Sequence, residues 1–194
     1  MRDTFKGKAK RWFVVGGLLL LMSITSVGYV QAAAVLSEDE EYWLTYIREE
    51  EKLARDVYLY LHDMYGSLIF EKISVSEQRH MDAIKTLLDK YGITDPVVDD
   101  TEGKFTDVYL DGLYKTLTGA GSVSLVEALK VGVDIEVTDI ADLTDGIATA
   151  NHKDIRTVYT NLRKASQNHW DAFCSHLEKL GVTPCVPYEP PPEP

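Results

Sequence analysis

The sequence predicts an all-α protein: four long helices in two antiparallel hairpins, joined by a long crossover that carries a short helix. Three observations lead there. Apolar residues recur at helical spacing through four long stretches, and no alternation of period two persists anywhere. Gly66, Gly92 and Gly181 stand where three of those stretches should stop, because glycine adopts the left-handed cap conformation without steric cost. The stretches are also unevenly spaced: the first two and the last two are closely joined, whereas Gly92 to Val123 separates the pairs.

Residues 1–34 precede this pattern and differ from it. Arg2, Lys6, Lys8, Lys10 and Arg11 open the chain against a single acid, Asp3. An apolar run follows from Trp12 to Val30 and ends in Gln31-Ala32-Ala33-Ala34. A basic start, an apolar middle and small residues at a cut site describe a secretory signal peptide, with cleavage after Ala32 or Ala34. Residues 12–30 are also just long enough to act as an uncleaved membrane anchor. Either way the basic flank stays in the cytoplasm and the remainder is expected to be extracytoplasmic.

The first long helix is expected over Ser37 to Tyr65, a stretch rich in helix formers, and the second over Ser67 to Tyr91. A Gly, Pro and Asp segment runs from Gly92 to Lys104, and a short helix from about Thr106 to Leu117. Ser124 with Glu127 has the spacing of a capping box and opens the third long helix, which reaches about Ala150 although Val131, Val133 and Val137 weaken its middle. The fourth runs from Asp154 to Leu180. The tail, residues 182–194, is Pro-rich and expected to be extended. The bundle proper is therefore residues 35–181. Two hairpins with one long crossover is the ferritin-like form of four-helix bundle.

Composition narrows the function by exclusion. The chain holds 20 Lys and Arg against 31 Asp and Glu, a net charge of −11. Without residues 1–34 the balance becomes 15 basic to 30 acidic residues, or −15. A nucleic-acid binder needs a basic face, so that class is disfavoured. No G-x-S-x-G nucleophile elbow and no Gly-rich phosphate loop after a strand is present. Cys174 and Cys185 are too few for a disulfide scaffold, but outside the cytosol they can pair and tie the tail to the last helix.

Polar residues fall on the faces that should form the core. A helix advances about 100° per residue. In the second helix Glu77 and His80, spaced i and i+3, lie inside the arc of Ile69, Ile73, Ile84, Leu87 and Leu88. In the third, Glu136 lies near the middle of the face of Leu129, Val133, Ile140 and Leu143. In the fourth, His169 shares a face with Leu162, Phe173 and Leu177, with Ser166 and His176 near it. In the first, Glu50 and Glu51 straddle the stripe of Trp43, Ile47, Ala54, Val57, Tyr58 and Leu61. A buried carboxylate costs several kcal/mol (~3–5) unless paired or metal-bound. Protonated His80 and His169 beside Glu51, Glu77 and Glu136 would satisfy the charges, but a metal explains the set more economically, since carboxylates and imidazoles suit iron, manganese or zinc. Asp139, at the edge of its face, is expected to be solvated, and His62 and His152 to be exposed.

Glu51-Lys-Leu-Ala54-Arg-Asp-Val-Tyr58 followed by Glu77-Gln-Arg-His80 resembles the E-x-x-A-x-x-x-Y and E-x-x-H motifs of rubrerythrin-like and ferritin-like proteins. With Arg48 to Tyr60, Ser76 to Lys85 and Asp139 to Asp142, the chain is most similar to the DUF2202 branch of that superfamily, over roughly Leu44 to Leu177. The resemblance implies a dinuclear iron centre, with manganese as the alternative metal and, because of Ser166, a single ion or none as the alternative occupancy. Glu51 and Glu136 would be single carboxylate ligands, Glu77 and His80 the first Glu-x-x-His, and His169 the histidine of the second. The expected glutamate of that second motif is Ser166, so Glu50 or water would complete the shell. The chemistry implied is ferroxidase- or peroxidase-like. The rivals are a non-catalytic bundle with a degenerate site and cation capture by surface acids.

Overall fold

A computed structural model describes residues 35–183 and Cys185, all helix and connection. The expected signal peptide or anchor and tail residues 186–194 lie outside the described residues. Five helices follow in order: α1 (Glu38–Tyr65), α2 (Leu68–Tyr91), α3 (Val108–Gly121), α4 (Leu125–Thr149) and α5 (Lys153–Lys179). Among the described residues, no helix is long and apolar enough to cross a membrane.

Helix ends follow local chemistry. Ser37 caps α1 in a full capping box: its hydroxyl accepts from the Glu40 N–H, and the Glu40 carboxylate accepts from the Ser37 N–H. Gly66, at φ 62°, closes α1 and starts the two-residue turn into α2. At α4 only half of the expected box forms. Ser124 accepts from the Glu127 N–H, while the Glu127 carboxylate pairs with Lys130 instead. The short helix α3 runs past Leu117 to Gly121, because tertiary contacts hold its last turn. Tyr65 donates to the Gly121 carbonyl (2.8 Å), and Gly121 lies so close to Leu61 that a Cβ there would sit 2.7 Å from it. The valines of α4 do not interrupt it, because Val131 and Val133 are buried and packing outweighs their weak helix preference.

Helices α1 and α2 pack along their length, as do α4 and α5. Contacts between α1 and α4 and between α2 and α5 close the bundle, and α3 lies against α1 and α4. Gly132 allows a close approach of α4 to α5: a Cβ there would meet the Phe173 ring at 2.6 Å. The core forms two apolar clusters. One takes Leu44 and Ile47 from α1, Ile84 to Leu88 from α2, Leu143 from α4 and Ile155 to Leu162 from α5. The other takes Leu53 to Leu61, Ile69 to Ile73, Leu129 to Ile135, and Phe173 to Leu177. Each cluster combines the early part of one helix with the late part of its hairpin partner, so both hairpins are antiparallel. Cys174 and Cys185 form a disulfide, Cα atoms 5.4 Å apart, that ties the segment after α5 back to the bundle.

The crossover is held by charge, which accounts for a feature of α1 that periodicity does not show. Every residue from Ile47 to Tyr58 is buried. The side of α1 away from the core is covered by residues 92–107. Arg48 makes a two-pronged pair with Asp95 (3.1 and 3.0 Å), Arg55 pairs with Asp100, and Glu49 accepts the N–H groups of Thr106 and Asp107. Lys52, fully buried, donates to Asp56 and to the Thr101 carbonyl and lies over the Phe105 ring.

Glu40 does the same at the α4–α5 turn. Its Oε1 accepts from the N–H groups of Asn151 and His152 and pairs with the His152 ring at 2.8 Å. Burial would raise this carboxyl, but the bonds from Ser37, His152 and Asn151 hold it down at about 2. A folded pKa below the unfolded 4.5 means the contribution is fully present above pH 4.5 and is lost as pH falls through about 2. Glu40→Gln is expected to cost about 1–2 kcal/mol at pH 7. Urea unfolding should show the gap to the native protein narrowing between pH 4.5 and 2; a gap independent of pH would refute the assignment.

Candidate metal centre

The two apolar clusters are separated at one level on every long helix. On α1 the break falls at Glu50 and Glu51, on α2 at Glu77 and His80, on α4 at Glu136 and Asp139, and on α5 at Ser166 and His169. The interruption in each sequence is therefore one polar belt across the bundle, with apolar packing above and below.

Inside the belt Glu77 is central. Its Oε2 lies 2.6 Å from His80 Nδ1, and its Oε1 lies 2.8 Å from His169 Nδ1. His80 Nδ1 also reaches Glu51 Oε2 at 3.1 Å, and His169 Nδ1 is 3.4 Å from Glu136 Oε2. The imidazoles stack, with ring centroids 5.6 Å apart. Tyr58, fully buried, donates to Glu136 Oε1 at 2.7 Å, which fixes that carboxylate. The chain thus brings together Glu51, Glu77, His80, Glu136 and His169. They form two groups, Glu51–Glu77–His80 and Glu77–Glu136–His169, whose ligand atoms lie within 4.8 Å of one another.

Burial pushes Glu51 up to about 7 against the pull of His80. It lifts Glu136 to about 7 as well, helped by Glu77 and opposed by His169 and Tyr58. Burial would raise Glu77 too, but the two imidazoles hold it at about 2. Burial would lower both histidines; Glu51 and Glu77 instead push His80 up to about 12, and Glu136 and Glu77 push His169 up to about 10. Without a metal Glu51, Glu77, Glu136, His80 and His169 form an imidazole–carboxyl network of three acids and two bases.

The donor set fits a metal better than it fits itself. Glu51 Oε1, Glu77 Oε1 and His169 Nδ1 are buried without a hydrogen-bond partner. The last two are only 2.8 Å apart, yet they are not aligned to bond each other. Buried polar atoms are almost always paired, and these three belong to residues whose ligand atoms gather within 4.8 Å in each group. Nitrogen and oxygen donors of this kind suit iron, manganese or zinc.

Ser166 and Glu50 join neither group. Ser166 is fully buried; its hydroxyl donates to Asp139 Oδ2 and approaches the Leu162 carbonyl. Asp139 is buried rather than solvated, because the small serine leaves room for the carboxylate between α4 and α5. Sequence reasoning missed it, although Glu136-x-x-Asp139 has the i, i+3 spacing that singled out Glu77 and His80. Glu50 is buried on the other side of the α1 stripe. Burial, then Asp139 and Asp142, push Glu50 well above the usual carboxylate range. His62 and His152 are half-buried rather than exposed: His62 contacts the Ser67 carbonyl and His152 is held by Glu40. His176 sits at the core boundary, its Nδ1 on the Ala172 carbonyl.

Residues 40–189 match the family described as an uncharacterized protein domain, DUF2202. The chain belongs to the DUF2202 family. A relative, the uncharacterized protein MJ0754 of Methanocaldococcus jannaschii, is 50% identical over 146 residues, which cover 75% of this chain and 79% of the relative. The crystal structure of hypothetical protein MJ0754 from Methanococcus jannaschii DSM 2661 superposes with a TM-score of 0.77 at 48% identity, covering 79% of this chain and 87% of the other. The polar belt, from Glu50 to His169, lies wholly within the span that defines this DUF2202 chain.

Proposed function

We propose that the chain is an exported ferritin-like protein whose polar belt binds two metal ions, iron or manganese, for redox chemistry with dioxygen, peroxide or ferrous iron. The carrying observation is Glu77, whose two oxygens face two separate His-and-carboxylate groups. The hairpins, the crossover bearing α3 and the two motifs support the ferritin-like assignment, and the basic-then-apolar residues 1–34 support export. Glu51, Glu77 and His80 would hold one ion and Glu77, Glu136 and His169 the other. Bound there, such ions supply one-electron steps and open coordination positions for a small oxidant. The chain's own residues orient and insulate the centre. Tyr58 holds Glu136, Glu77 charge-balances both imidazoles, and the apolar clusters exclude water.

Ser166, in place of a sixth ligand, favours one rival: a bundle that keeps its architecture with a degenerate site. Metal analysis of the purified protein separates the two. The proposal expects near-stoichiometric iron or manganese, lost in the Glu77→Ala/His80→Ala double variant, and oxidation of ferrous iron that disappears with it. A metal-free, folded protein whose stability ignores those substitutions would sink the proposal. Metal that survives them would belong to the acidic surface.

A further inference from the structure

A cavity of about 400 Å³ lies between α1, α3 and α4 and opens onto the polar belt at Glu50 and Asp139, away from the five grouped ligand residues. Its walls are apolar, with Leu53 from α1, Leu113 and Leu117 from α3, and Val131 and Ile135 from α4. That volume is within the range of small-molecule sites, roughly 300–1,000 Å³. Three acids also line it: Glu50, Asp134 and Asp139. Glu50 and Asp139 are 6% and 5% exposed, and Glu50 Oε2 and Asp139 Oδ1 have no hydrogen-bond partner.

Among the described residues, no basic side chain lines this cavity. The cations on the same turns of α1 are committed to the far side of the helix: Arg48 to Asp95, Lys52 to Asp56, and Arg55 to Asp56 and Asp100. The cavity is therefore apolar in its walls and carries buried carboxyl oxygens without partners. Its complement is a molecule with a hydrocarbon body and a compact group of N–H donors bearing positive charge.

We propose that this cavity binds a small apolar amine, its ammonium group on the Glu50 and Asp139 carboxylates and its hydrocarbon part against Leu113 and Leu117 of α3. The site goes beyond the metal centre and does not need it filled. Asp139, however, is one turn from Glu136, so a bound amine lies next to the proposed metal ligands.

Calorimetric titration of the full chain with 2-phenylethylamine, and with 2-phenylethanol as its neutral counterpart, tests this, with metal content measured on the same samples. The amine is expected to bind at least tenfold more tightly than the alcohol. Glu50→Gln should remove that preference and leave the alcohol unchanged. Leu113→Trp, which fills the cavity from α3 away from the proposed metal ligands, should abolish binding of both without altering metal content. Amine binding by protein that proves metal-free upholds the pocket while the metal reading fails. Equal binding of amine and alcohol, or no binding of either, overturns the proposal on the native chain alone. Displacement of the amine by manganese, with one equivalent of metal lost in Glu50→Gln, also overturns it and assigns the acids to a further cation.

Discussion

Glu77→Ala is expected to empty both halves of the centre at once. Glu77 belongs to both ligand groups, whereas Glu51 and Glu136 each belong to one. Elemental analysis should therefore find close to two ions per chain in the native protein, close to none in Glu77→Ala, and about one in each of Glu51→Ala and Glu136→Ala. The same substitution destabilises the metal-free state, because His80 and His169 lose the carboxylate that lies 2.6 and 2.8 Å from them. Removing one partner of a buried charged pair costs about 3–5 kcal/mol. Glu77→Gln keeps the volume and removes the charge, so it separates lost packing from lost electrostatics. Equal metal loss in all three alanine variants would contradict a shared ligand.

Asp56→Ala is expected to be the most damaging change outside the belt, at about 3–5 kcal/mol. Lys52 and Asp56 are both fully buried, with Nζ and Oδ2 2.5 Å apart. The aspartate also accepts from Arg55 (2.9 Å) and from the Gly103 N–H (3.0 Å). Its loss leaves a buried ammonium without its counter-ion and releases part of the crossover. For a chain of this size each kcal/mol shifts the melting temperature by about 2–4 °C, so the drop should be on the order of 10 °C. The Lys52→Met/Asp56→Leu double variant should recover most of it, since apolar replacement of both partners leaves no orphaned charge. A loss under about 1 kcal/mol in Asp56→Ala would show that the pair is not needed. Proteolysis should also become faster within residues 92–107, which Asp56, Arg48, Glu49 and Arg55 hold against α1.

The helices were legible because their signals are local. Glycines at Gly66 and Gly92, helix-forming composition and the 3.6-residue apolar period act over a few residues, and the boundaries of α1, α2 and α5 fall within about a residue of where those signals put them. The end of α3 was not legible. Thr118-Gly119-Ala120-Gly121 reads as a break, and tertiary contacts, among them those of Leu61 and Tyr65 of α1, hold it helical. The belt residues were legible for a related reason: Glu77, His80, Glu136 and His169 lie where the period demands an apolar side chain. Asp139 escaped because a residue at the edge of a face is buried or solvated according to its neighbour, and that neighbour is Ser166, 27 positions away.

Sequence alone determined the helical class, the two pairs of helices, the polar positions on each inner face and the motifs that resemble DUF2202. Those properties depend on residues a few places apart, whose relation along a helix is set by backbone geometry. Tertiary structure decided that the four interruptions meet at one level and that Glu77 rather than Glu51 or Glu136 is shared. It also decided that Ser166 holds an aspartate and that the charged back of α1 clasps the crossover. Each of these depends on the register of one helix against another, which packing of the two apolar clusters sets and no local spacing encodes.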